Sequence, residues 1–120
     1  MSYDKNNIFA KILRGEIPCK TVYENEYVLS FYDINPQKKI HVLVVPKGEY
    51  IDLDDFVSKA PEKEIIEFHK AIIHIVKMLK ISNQEAGYRV LSNIGKDGGQ
   101  EVPHLHYHIF GGEKIGKMVV

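Results

Sequence analysis

A chain of 120 residues with 44% hydrophobic content can bury one core but is too short for two ordinary domains, so a single domain over residues 1–120 is expected. Sixteen Lys plus Arg balance sixteen Asp plus Glu, which removes the net field that would draw the protein to nucleic acid or an anionic membrane. A lone cysteine, Cys19, excludes an internal disulfide and any Cys-x-x-Cys zinc or redox site, and no uncharged apolar run approaches the ~20 residues that span a bilayer.

The first residues mix Asp4, Lys5, Asn6 and Asn7 with few apolar side chains, so they lack a signal-peptide core and the expected location is cytoplasmic. Asn6 and Asn7 precede Ile8, Phe9, Ile12 and Leu13, and Gly15 follows them, which is the cap and stop pattern of a short N-terminal helix. Thr21 to Glu24 and Val28 to Tyr32 are β-rich segments around a polar tip and predict a hairpin. Asp33 to Lys39 reads as a loop turned at Asn35-Pro36. Ile40 to Val45 is almost wholly β-branched or aliphatic apart from His41, and predicts a central strand covered on both faces.

Asp52 to Ala60 is acidic and expected to be irregular, and its aspartates match no calcium-loop spacing. Pro61, Glu62 and Glu64 open a helix whose apolar stripe, Ile65 through Leu79, runs to about Lys80. His69 and His74 lie about 140° apart on it and cannot share a ligand there. Tyr88 to Asn93 predicts a strand, Ile94 to Pro103 a loop holding Gly95, Gly98 and Gly99, and Leu105 to Phe110 the last strand. The expected class is α+β: a five-stranded antiparallel meander sheet with one short N-terminal helix and one long helix.

On the last strand His104, His106 and His108 alternate with Leu105, Tyr107 and Ile109, so the apolar set faces the core and the histidines line an open face beside the glycine loop. Two chemistries suit them. One is a metal site, although same-face residues stand ~6.6 Å apart and the outer pair ~13 Å, too far for one ion to take all three. Two neighbours with a group such as His41 still form a possible set. The other is attack on phosphorus by a neutral imidazole, which gives a P–N intermediate that water then breaks, while backbone N–H groups of the Gly98-Gly99 segment cradle the phosphoryl oxygens.

The run from Gly98 through Gln100, Glu101, His104, His106 and His108 to Gly112 resembles the histidine-triad (HIT) signature, in its nucleoside phosphoramidase branch. Ile8-Phe9, Gly15-Glu16-Ile17-Pro18, Phe31 to Pro36 and His41 to Pro46 are similar to the family's successive blocks. The resemblance implies a HIT-like fold with two sheets joined in a homodimer, and hydrolysis of purine nucleoside phosphoramidates or related nucleoside monophosphate conjugates without a cofactor. It implies His106 as nucleophile, oriented by the His104 carbonyl, with His108 on the phosphate or leaving group and His41 as a more distant support. Asp33 would hold the ribose hydroxyls, and Ile8, Phe9, Ile12, Phe31 and Ile34 the base. Asn93, Gly99, Gln100 and Glu101 would meet the phosphate region.

Three departures stand out. Glu101 replaces a Ser or Thr common in relatives and cannot donate a hydrogen bond when ionised. Asn7, Ala10 and Glu49 stand where zinc-carrying relatives place ligands, so no metal is expected. The tail from Glu113 lacks the tryptophan of animal phosphoramidases. The alternatives are a nucleotide-binding or signalling module with little turnover, and a metal hydrolase using the histidine face.

Overall fold

In the computed structural model, which describes residues 2–119, Asn7 starts the first helix, α1 (Ile8–Leu13), by accepting the Ala10 N–H at 2.9 Å on its own side-chain oxygen. Gly15, at φ +78°, stops it, because its left-handed backbone lets Gly15 N–H reach Ile12 and Glu16 N–H reach Lys11. Met1 and Val120, the ends of the expected 1–120 domain, lie outside the described residues. The cap sets the register of a helix that turns Phe9 and Ala10 inward. Asn7→Ala should therefore lower stability by about 1 kcal/mol, read as an earlier urea midpoint at unchanged slope. A midpoint equal to that of the wild type would show that α1 does not depend on its cap.

The strands are β1 (Thr21–Glu24), β2 (Val28–Tyr32), β3 (Ile40–Pro46), β4 (Arg89–Leu91) and β5 (Tyr107–Gly111), all antiparallel in the order β1-β2-β3-β5-β4. The expected five-stranded antiparallel sheet is present, and its meander holds through β3. The last two strands depart from it: β5 inserts between β3 and β4, leaving three-residue β4 at the edge. β3 is buried along nearly its whole length, as its apolar run requires.

One face of the sheet presents Val28, Val42, Val44 and Ile109 to α2 (Leu53–Lys59) and α3 (Glu62–Met78), burying Phe56, Phe68, Ile72, Ile75 and Val76. The other face carries Leu29, Phe31, Leu43 and Val45 under Phe9 of α1. This smaller cluster leaves part of its face open, and the candidate site forms there.

Three expectations need correction. Asp52 to Ala60 is not irregular: Asp52 accepts the Asp55 N–H, Asp55 accepts the Ile51 N–H, and the reciprocal cap opens α2, which buries Phe56. The glycine loop contains a short helical turn, α4 (Gly95–Gly98), ended by Gly99 at φ +77°. The final strand starts only at Tyr107, because Leu105 N–H bonds Tyr50 and not a sheet neighbour, so His104 and His106 stand just before it. Among the described residues no helix is long and apolar enough to cross a membrane.

Candidate active site

Pairing of β5 with β3 sets His108 opposite Leu43 and Phe110 opposite His41, which brings all four side chains to the face that carries Phe31. The β2–β3 connection brings Asp33 to one side of this face, and the β4–β5 connection brings Asn93, Gly99 and Glu101 to the other. Between them lies a cavity of about 420 Å³. Its walls include Ile8, Phe9, Ile12, Phe31, Ile34, Asp33, Asn93, Gly99, Glu101, His106 and His108.

The hydrogen bonds fix which nitrogen of each imidazole carries the proton. The His104 carbonyl can only accept, so His106 donates to it from Nδ1, at 2.8 Å, and keeps a lone pair on Nε2 toward the cavity. The Gln37 N–H can only donate, so Nδ1 of His41 accepts it at 3.1 Å and its proton sits on Nε2. Nε2 of His41 then donates to Nδ1 of His108 at 2.9 Å, which leaves the His108 proton on Nε2. His104 spends both nitrogens: Nε2 donates to the Pro46 carbonyl at 2.9 Å, and Nδ1 accepts the Tyr3 hydroxyl.

The histidines do not line an open face as expected. Phe9 packs edge-on against His106 and His104, with ring centres 4.9 and 6.5 Å away, so both histidines are buried and His108 is partly so. Burial, which penalises the charged ring, lowers the pKa of all four, to about 4 for His104 and His108. At His106 the carbonyl of His104 and the carboxylates of Asp33 and Glu101 oppose that effect. At neutral pH the site thus presents neutral imidazoles.

His41 is closer than the resemblance implied, bonded to His108 and with Nε2 3.4 Å from the Asp33 carboxylate. Asp33, His41 and His108 offer ligand atoms all within 4.8 Å of one another, a candidate metal set among the described residues. A metal on Nε2 of His41 would need the ring proton on Nδ1, where the Gln37 N–H already donates. The tautomer built into the fold therefore opposes metal binding at this set.

Gln100 does not line the cavity. Its amide nitrogen donates to the Ile51 and Val102 carbonyls at 2.7 and 3.0 Å, and its oxygen accepts the Gly95 N–H, so it braces the loop. Ile34, 94% exposed, forms only the rim of the apolar slot. Sequence reasoning missed Ile17, Pro18, Cys19, Tyr32, Leu43 and Val102 in the wall. Strand alternation signals Leu43, two residues after His41, and the β1–β2 register brings the segment before Thr21 beside the end of β2. Nothing local signals Tyr3, 101 residues from His104.

The HIT domain family matches residues 14–115 of the chain. An uncharacterised HIT-like protein of Azospirillum brasilense is 52% identical over 118 residues, covering 98% of this chain and 95% of the relative. A HIT family hydrolase from Clostridium thermocellum superposes with a TM-score of 0.86 at 35% identity, over 98% of this chain and 99% of that chain. A histidine triad nucleotide-binding protein from Candida albicans superposes with a TM-score of 0.77 at 32% identity, over 87% of this chain and 73% of that chain.

Proposed function

The chain belongs to the HIT domain family, and on that premise we propose that it is a nucleotide-binding hydrolase that cleaves purine nucleoside phosphoramidates or related nucleoside monophosphate conjugates. The observation that carries this reading is the lone pair of His106 Nε2, held by the His104 carbonyl and aimed into a cavity with an apolar slot and a single ribose-side carboxylate. A purine suits the walls from Ile8, Phe9, Ile12, Phe31 and Ile34, and a ribose diol suits Asp33 as acceptor.

Nε2 of His106 attacks phosphorus, forming a P–N bond as the bond from phosphorus to the leaving amine breaks. The amine departs with a proton drawn from water. The ring becomes cationic, and its Nδ1–H bond to the His104 carbonyl strengthens. Water then displaces the imidazole, its hydroxyl going to phosphorus and its proton to solvent. A nucleoside monophosphate, a free amine and neutral His106 result. The Nε2–H of His108 and the amide of Asn93 supply donors to the phosphoryl oxygens, whereas the Gly99 and Gln100 N–H groups, expected from the sequence to cradle them, are spent on the Lys96 and Gly95 carbonyls.

The protein acts as a homodimer in this reading. Ile66 and Ile73, 51% and 45% exposed and seven residues apart on α3, form an apolar stripe suited to a second copy. A single, partly buried free cysteine fits the reducing cytoplasm.

Asp33→Asn should weaken nucleoside monophosphate binding by about tenfold, measured by calorimetry, because an amide turns one charged acceptor into a donor. An unchanged Kd would move the ribose away from Asp33. The decisive assay for the function is turnover of adenosine 5′-phosphoramidate in excess chelator, with AMP and amine released in equal amounts. No turnover by the wild type would favour a binding module, and turnover lost only with chelator would favour a metal hydrolase.

A further inference from the structure

Within the cavity the fixed charge has one sign. Asp33 and Glu101 are the only charged side chains among its described lining residues, and no Lys or Arg joins them. His106 and His108 do not offset these carboxylates, since burial keeps both rings neutral at neutral pH. Two lysines, Lys20 and Lys39, do line a neighbouring recess, but it shares Pro18, Cys19, Asp33 and Ile34 with the cavity and so lies on the ribose side. Near the other wall, α4 adds Lys96 and Asp97, one charge of each sign, neither of them on the wall.

The topology separates the two carboxylates. Asp33 belongs to the β2–β3 connection with the apolar slot, Glu101 to the β4–β5 connection with Asn93 and Gly99, and both act on the imidazole of His106 between them. With the ribose on Asp33 and phosphorus over His106, the substituent that leaves points toward Glu101. Glu101 is exposed, and no ion pair among the described residues includes it. Its charge is thus available to the leaving group.

We infer that Glu101 is a specificity-determining residue that selects substrates by the charge of the leaving group, favouring one with a pendant ammonium and disfavouring an anionic one such as a further phosphate. The inference rests on the hydrolase reading above. It gives the departure from Ser or Thr at this position a physical role: what the site loses in hydrogen-bond donation it gains in charge selection.

The test compares kcat/KM for three adenosine 5′-phosphoramidates built on one four-carbon amine, ending in an ammonium, a hydroxyl or a carboxylate. Wild type should prefer the ammonium to the hydroxyl by about 3- to 10-fold at low salt, with a similar step to the carboxylate, and added salt should compress both steps. Glu101→Gln should flatten the series and Glu101→Lys should invert it, with circular dichroism confirming the fold of each. A flat series in wild type, or the same order in all three proteins, overturns the inference while leaving the hydrolase reading standing. Failure of wild type to turn over any of the three compounds removes the hydrolase reading and this inference with it.

Discussion

Replacing His106 with alanine should reduce turnover by about 10⁴-fold or more while leaving a folded protein. No neighbouring ring can take over the attack. The lone pair of His108 sits on Nδ1 and already accepts the His41 N–H, and His104 has committed both nitrogens to Tyr3 and Pro46. Cys19 lines the cavity, but with Pro18 and Ile17 on the slot side and away from Glu101. The substitution removes a buried ring that packs on Phe9 and one hydrogen bond, which costs about 1–3 kcal/mol. Steady-state assays beside urea unfolding separate the two effects. A folded His106→Ala protein with activity within tenfold of wild type would contradict nucleophilic catalysis by this residue.

Stability should fall steeply as the pH drops from about 6.5 to about 4, before most carboxylates titrate. His104 is fully buried, and its pKa is pushed down to about 4 by that burial. In the unfolded chain the same ring takes up a proton near its ordinary pKa of about 6.5. Through this window the unfolded state binds more protons, so stability is lost as the pH falls. For His104 alone the loss amounts to about 3 kcal/mol. His108, also pushed down to about 4, acts in the same direction, as do His106 and His41. The hydroxyl of Tyr3 can rotate to accept from a protonated His104, so the penalty arises from desolvation and not from a broken hydrogen bond. Urea midpoints measured at pH 7, 5.5 and 4.5 on wild type and His104→Asn test this. The loss should be larger in wild type, and equal midpoints across the range would contradict it.

Much of the fold was legible because its signals are local. Asn7 and Gly15 bracket α1, the aliphatic run through Val45 marks β3, and Pro61 with two glutamates opens α3. The α2 helix escaped notice because its aspartates look like a solvated loop, although the same residues form the reciprocal cap once Phe56 finds the core. Strand order was not legible, since β4 and β5 exchange places through hydrogen bonds between distant segments.

The histidines were legible as a set from their i, i+2 spacing, although only His108 lies on β5 and His104 turns to Tyr3 and Pro46. Their protonation pattern was not, because it depends on Tyr3, Gln37 and Pro46, brought from three separate segments. Burial of the rings was missed for the same reason: Phe9 covers them from the far end of the chain.

The most direct measurement is the stereochemical course at phosphorus, using an adenosine phosphorothioamidate of known configuration and isotopically labelled water. Attack by His106 followed by attack by water inverts phosphorus twice, so the adenosine phosphorothioate product should show overall retention. Overall inversion would mean that water attacks directly and that no nucleotidyl-His106 forms.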